Sequence, residues 1–269
     1  MKIRKAIEKA KLAREKEDTF EARFTTKAAI QEGRLPPVYT ESRHAEPDYK
    51  KMAENKCSAL SSESPYPDAF RVLRTRINNL IQCKAHKTLM ITSAHPGEGK
   101  TTTAVNLALT YAKEIGQTVL LVDCDLRRQD VHKFMGIESD RGLVDYLAWG
   151  TPLKDIIIWP GIEKFTFISG GRTIPDGTEL LESSRMHGLV EEIKNRYPDR
   201  FVIFDTPPVL AGAESIAFTP LVDNIILVVG YGKTSIMEVK NILDLIPTEK
   251  FLGFVLNRSE SRKDPYGYY

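Results

Sequence analysis

The sequence predicts an α/β domain, a mostly parallel sheet flanked by helices, preceded by a helix and a linker. Two observations carry this. Short runs rich in Val, Ile, Leu and Phe recur between helical segments, apolar throughout as in strands buried on both faces. The first such run, Thr88 to Thr92, passes through Ala94-His95-Pro96-Gly97-Glu98-Gly99-Lys100-Thr101 straight into a helical segment beginning at Thr102. A strand, a glycine-bearing loop ending in Gly-Lys-Thr and a helix together make a phosphate-binding loop.

In chain order, residues 1–17 are strong helix formers with Ile3, Ile7 and Ala10 on one side and basic residues over most of the rest. Such a helix is either a solvated one with a thin apolar stripe, or a docking surface for a partner or anionic lipid. Residues 18–65 lose periodicity and read as a mostly flexible linker. The domain proper spans 66–258, and 259–269 form a polar tail with three tyrosines. It opens with a helix carrying Phe70, Leu73, Ile77, Leu80 and Ile81 on one face and Asp68, Arg71 and Arg74 in a row on another. That row is either a solvated face or a contact between copies of the chain.

Beyond the phosphate loop, strands are expected at 118–122, 165–168, 201–204, 224–229 and 251–256. Helices are expected at 142–147, at 180–197 with a break near Ser183-Ser184, and at 234–246.

The net charge of +2 over 269 residues gives no reason to expect a nucleic-acid partner. Cys57, Cys83 and Cys124 lack paired spacing, so neither a zinc site nor a disulfide framework is indicated, and a reducing cytoplasm fits. No apolar run approaches the roughly 18 residues that span a bilayer, so a soluble protein is expected.

The loop chemistry is specific. Gly97 and Gly99 let the backbone of Pro96 to Gly99 curl its N–H groups toward an anion, and the helix N-terminus at Lys100, Thr101 and Thr102 adds partial positive charge. Lys100 reaches β- and γ-phosphates, and the Thr101 hydroxyl ligates Mg²⁺. Two apolar strands end in acids, Asp123-Cys124-Asp125-Leu126-Arg127 and Asp205-Thr206-Pro207-Pro208, at the sheet end where open α/β folds collect ligands. Cys124 alternates away from the two aspartates and is expected to be a buried, inert thiol.

Asp-x-Asp-x-Arg after a strand, with Asp-Thr-Pro-Pro after another, resembles the Walker A′ and Walker B motifs of the bacterial tyrosine kinases, relatives of the MinD and ParA ATPases. Asp68-Ala69-Phe70-Arg71-Val72-Leu73-Arg74 is similar to the family's Glu-x-x-Arg-x-x-Arg oligomerisation helix, with Asp in place of Glu. Pro175 to Leu181 resembles its post-strand segment, and Tyr266-Gly267-Tyr268-Tyr269 its tyrosine cluster. The basic first helix and long linker look like the subset found with exosortase-type exopolysaccharide systems, the EpsG-like proteins. The likeness covers about Pro67 to Tyr269.

The resemblance implies a P-loop NTPase fold of MinD/ParA type, ATP and Mg²⁺, and autophosphorylation in trans of Tyr266, Tyr268 and Tyr269 in a ring-like oligomer bridged by Asp68, Arg71 and Arg74. It implies Asp123 as base toward the tyrosine hydroxyl, Asp125 assisting at the metal, and Asp205 holding it. Arg127 then contacts phosphate or fixes the aspartates, with a surface salt bridge as the alternative, and Asn257 reads the adenine edge. A separate membrane-embedded polysaccharide co-polymerase is the implied activator, other protein tyrosines are further substrates, and the chain is expected at the inner face of the membrane through that partner. One departure is His95, which stands where MinD and ParA carry a signature lysine, and so favours a kinase over a positioning ATPase or a non-catalytic regulator.

Overall fold

A computed structural model of the chain describes residues 42–259 apart from 58, 60–65, 82–85, 115, 175–176 and 197–198. The expected basic helix at 1–17 and the tyrosine cluster at 266–269 lie outside the described residues. In chain order the principal elements are β1 (Arg43–His44), α1 (Tyr49–Glu54), α2 (Tyr66–Leu80), β2 (Thr88–Ser93), α3 (Lys100–Ala112), β3 (Thr118–Asp123), α4 (Val131–Phe134) and α5 (Leu143–Trp149). There follow α6 (Leu153–Ile156), β4 (Ile157–Trp159), β5 (Phe165–Ile168), α7 (Thr178–Leu181), α8 (Ser184–Arg196) and β6 (Arg200–Asp205). The series ends with α9 (Glu214–Phe218), β7 (Asn224–Gly230), α10 (Ile236–Leu243) and β8 (Phe251–Asn257).

The strands form one sheet in the order β1-β4-β5-β3-β6-β2-β7-β8. Every neighbouring pair is parallel except β4 with β5. The unbroken apolar runs now have their reason. Leu89, Ile91, Val119, Leu121, Phe201 and Ile203 face one core with α3, while Met90, Leu120, Val122, Val202 and Phe204 face a second core beneath α5 and α8. Side chains alternate across a strand, so a strand covered on both faces must be apolar at every position. Each fully buried Leu, Ile or Phe contributes about 1.5–3 kcal/mol.

Register positions the acids. Asp123 pairs with Asp205 across β3 and β6, and Ile91 of the phosphate-loop strand pairs with Asp205. The chain leaves β2, crosses over β6 and returns as β3, so the loop and both acidic ends gather at one end of neighbouring strands. This is where open sheets bind ligands.

The structure departs from the sequence reading in three places. Residues 43–57, assigned to the linker, are part of the folded domain: β1 pairs with β4, and Met52 and Cys57 are buried in the core with α3. Their apolar residues are too few for periodicity to register, and only contact with α4 and the sheet edge gives them structure. The antiparallel β4 was not anticipated, although Ile157-Ile158-Trp159 are strand-forming residue types; its three residues follow a one-turn helix and are too short for a period to show. The last helix begins at Ile236 instead of Thr234, because Ser235 caps it and Glu238 closes a capping box. The expected break at Ser183-Ser184 separates α7 from α8.

Candidate active site

The phosphate loop is built by backbone geometry. Gly97 and Gly99 have φ of +77° and +99°, in the left-handed region. At Gly99 a Cβ would also lie 2.0 Å from Asn257 Nδ2, so glycine is required there on two counts. Asn257 donates that amide to the Glu98 carbonyl at 2.8 Å, which ties the end of β8 to the loop. Its side chain is thus engaged with the loop backbone, and the adenine contact expected of it stays an expectation.

Glu98 does not point at the anion position. Its carboxylate is buried and accepts from His95 N (2.8 Å), Gly230 N (2.9 Å) and the Thr234 hydroxyl, joining the loop to the end of β7. Burial works against the charge, and these donors prevail to hold the carboxyl below its ordinary range. His95 Nε2 lies 2.8 Å from Glu238 Oε1. Glu238 in turn accepts from the Ser235 amide and, with the His95 contact, is lowered to about 2. The loop is clamped to the β7–α10 connection by two carboxylates. Sequence reasoning missed Glu238, although Ser235-x-x-Glu238 is a capping-box spacing that marks a helix start.

Lys100 is the electrostatic centre. Its Nζ is 2.8 Å from Asp125 Oδ2 and 3.4 Å from Asp205 Oδ1. Burial alone would lower its pKa; Asp205, Asp125 and Asp123 more than reverse that and raise it. Thr101 donates its hydroxyl to Asp205 Oδ2 at 2.6 Å. Asp123 is enclosed: Oδ1 accepts from Asp125 N at 3.2 Å and Oδ2 from Val131 N at 3.1 Å. Burial pushes it well above the usual carboxylate range, with the charge of Asp205 adding to the rise and Lys100 opposing it. Asp205 is raised by burial too, against Lys100 and the Thr101 hydroxyl. A site holding several close acids on one cation is one in which proton affinity is tuned for chemistry. Cys124 is fully buried, and burial raises its thiol, as expected of an inert packing residue.

The donor set fits Mg²⁺. Thr101, Asp205 and Asp125 present hydroxyl and carboxylate oxygens around one end of the loop, the ligand type this cation takes. Among the described residues no group of three or more His, Cys, Asp or Glu forms a ready cage. Mg²⁺ needs none, since it is commonly held by one or two protein oxygens, water and the phosphates it accompanies.

Other expected residues fall differently. Arg127 extends to Glu214, Nη2 to Oε1 2.6 Å, so its guanidinium is half exposed above a buried carboxylate. Glu214 had no sequence signal, since it lies in α9, and only folding brings it to β3. Asp68 and Arg71 pair with each other at 2.7 Å on the exposed face of α2. Arg74 turns inward instead, donating to the Thr110 carbonyl at 2.9 Å and approaching Glu114 at 3.4 Å.

A phosphate loop on a central strand of a mostly parallel sheet, with acid-tipped β6 beside it and acid-tipped β3 next to β6, defines a P-loop nucleotide-binding protein. The AAA domain family model matches residues 86–251. The tyrosine-protein kinase YwqD of Bacillus subtilis (strain 168) is 34% identical over 222 residues, covering 81% of this chain and 92% of that one. The kinase domain of Escherichia coli tyrosine kinase ETK superposes with a TM-score of 0.69 at 28% identity, covering 87% of this chain and 95% of that. MinD of Pyrococcus horikoshii OT3, complexed with Mg-ADP, shares the fold alone, with a TM-score of 0.53 at 24% identity over 65% of this chain and 72% of that. The chain belongs to the P-loop AAA-domain proteins and, among them, to the bacterial tyrosine-protein kinases.

Proposed function

We propose that this chain is an ATP-dependent protein tyrosine autokinase that phosphorylates Tyr266, Tyr268 and Tyr269 on a neighbouring copy and thereby regulates exopolysaccharide synthesis or export. The observation that carries the reading is the Lys100–Asp125–Asp205 cluster with Asp123 alongside, set at the open end of the sheet. Lys100 exchanges its carboxylate partners for β- and γ-phosphate oxygens and spreads the charge that develops between them. The backbone N–H groups of 97–102 cradle the rest of the phosphate chain. Thr101 and Asp205, with Asp125 assisting, would hold Mg²⁺, which would supply charge neutralisation on the transferring group.

Asp123 accepts the proton of the incoming phenol. Each of its oxygens has one lone pair left after the backbone amides are served. A phenol has a pKa near 10, so the proton moves late, as the oxygen bonds to phosphorus. Arg127, paired with Glu214 and half exposed, is proposed to contact phosphate.

Of the row Asp68, Arg71 and Arg74 expected to bridge copies of the chain, Asp68 and Arg71, on the exposed face, are proposed to do so in a ring, while Arg74 is engaged with Thr110 and Glu114 of its own chain. A separate membrane-embedded co-polymerase is the proposed activator, which would hold the chain at the inner face of the membrane. Among the described residues no helix is long and apolar enough to cross a membrane.

The test is to incubate purified protein with Mg-ATP and map phosphotyrosine by mass spectrometry. Tail phosphotyrosine that disappears in Lys100→Met and Asp123→Asn supports the reading. Phosphate release without phosphotyrosine would make the protein a positioning ATPase, and neither product a non-catalytic regulator.

A further inference from the structure

Helix α4 is four residues long, and isolated helices shorter than roughly 12 residues have no stability of their own. Yet its first amide, Val131 N, is one of two donors that orient Asp123. Something outside α4 must hold it in place. Helix ends leave carbonyls in want of donors, and three successive ones here accept from a single segment, that of Lys133 also from the Gly136 amide. Asn55 Nδ2 donates to Lys133 O at 3.1 Å, Cys57 Sγ to Phe134 O at 3.6 Å and Asp48 N to Met135 O at 3.1 Å. Burial pushes the Cys57 thiol up to about 12, so it keeps the proton it donates. Gly136, with φ of +66°, packs so closely on this segment that a Cβ would lie 2.5 Å from Asp48 Cβ.

The other end of the segment is fastened to α3, the helix that begins with Lys100. Ala59 N donates to Asn106 Oδ1 at 2.9 Å, while Asn106 Nδ2 donates to Lys56 O at 3.0 Å and Thr102 O at 2.8 Å. Lys113 Nζ donates to Ala59 O. Between the two ends, Met52 is buried in the same core as Val131, Met135 and Ile137.

We propose that the segment from Asp48 to Ala59 is a clasp that joins the phosphate-loop helix to α4 and so positions Asp123 through the Val131 amide, with Asn55 its principal positioning residue. The inference rests on the kinase reading for the role of Asp123. The clasp touches no reacting atom; it acts by fixing the direction of one carboxylate. Phosphoryl transfer depends on placement to within a fraction of an ångström, so a carboxylate that turns away from the phenol loses rate without losing nucleotide.

Asn55→Asp in the whole chain keeps the size of the side chain and removes the donor, whereas Asn55→Gln keeps the donor. Amide hydrogen exchange and steady-state kinetics with Mg-ATP are measured for both. For Asn55→Asp, exchange at 131–137 is expected to quicken about tenfold while α3 is unchanged, and kcat for tyrosine phosphorylation to fall about tenfold with the ATP KM within about twofold. Asn55→Gln should recover most of both. Unchanged exchange at 131–137 would overturn the clasp, and faster exchange with wild-type kcat would overturn its role in positioning Asp123. So would kcat and KM worsening together in both variants, the mark of a general loss of structure. A wild-type chain that makes no phosphotyrosine overturns the kinase reading and the catalytic part of this inference with it; the exchange result judges the mechanical part independently.

Discussion

At Lys100 one ammonium answers for three buried carboxylates, and the balance depends on pH in a definite sense. Asp123 and Asp205 have folded-state pKa values raised above the unfolded ones. The fold therefore binds protons more readily than the unfolded chain, and these two groups cost stability as pH rises above the ordinary carboxylate range. Lys100 is raised as well, so the stability it lends is fully present below its ordinary value of 10.5 and is lost only at higher pH. Across neutral pH the lysine offsets what the aspartates cost. Lys100→Met should therefore lose about 3 kcal/mol at pH 8, the cost of stripping the partner from buried charges. The deficit should shrink toward pH 4 as the aspartates take up protons. Urea unfolding at the two pH values checks this, and an equal deficit at both would contradict the assigned electrostatics.

Among the elements, β8 has the least obvious role, since it is an edge strand with Phe254 and Leu256 exposed. Its function lies in its last residue, because Asn257 fits into the space that Gly99 leaves and holds the Glu98 carbonyl. Gly99→Ala would impose a Cβ on that amide in a backbone conformation that L residues rarely adopt, at a cost of about 1–3 kcal/mol. The loop would relax away from β8, and the ATP Kd should rise tenfold or more, measured by titrating nucleotide against a fluorescent analogue. Asn257→Ala removes the clash partner but keeps the left-handed loop, so it should weaken binding less than Gly99→Ala. Elements around the loop thus act as braces: β8 through Asn257, β7 through the Gly230 amide and α10 through Glu238.

At the level of the whole molecule, the proposed reaction passes between copies of the chain. Each phosphate adds about −1.5 to −2 charges to a tail whose only cations are Arg262 and Lys263. Unmodified tails that dock in neighbouring sites would hold a ring together, and modification would release them. Changing Tyr266, Tyr268 and Tyr269 together to Phe should abolish tail phosphorylation and leave an oligomer that Mg-ATP no longer disperses. Sedimentation velocity before and after Mg-ATP reads the outcome. A triple variant that assembles no better than the phosphorylated protein would refute the release model.

The sequence by itself determined the two-sided sheet, the phosphate loop and the acids at the ends of β3 and β6. The physical reason is that each is a local pattern: a strand buried on both faces must be apolar throughout, and a curled anion-binding loop needs glycine at set positions. Only the tertiary structure decided what those groups touch. Arg127 finds Glu214, His95 finds Glu238, Arg74 turns in toward Thr110, and Asn257 braces the loop, each across a large sequence separation. It also drew residues 43–57 and 59 out of an expected linker and onto the folded domain, with Met52, Cys57 and Ala59 in the core and hydrogen bonds to the carbonyls at α4 and the side chain of Asn106. A one-turn helix and a two-residue strand have no periodicity to detect. Their stability comes from contacts that exist only once the chain has folded around them.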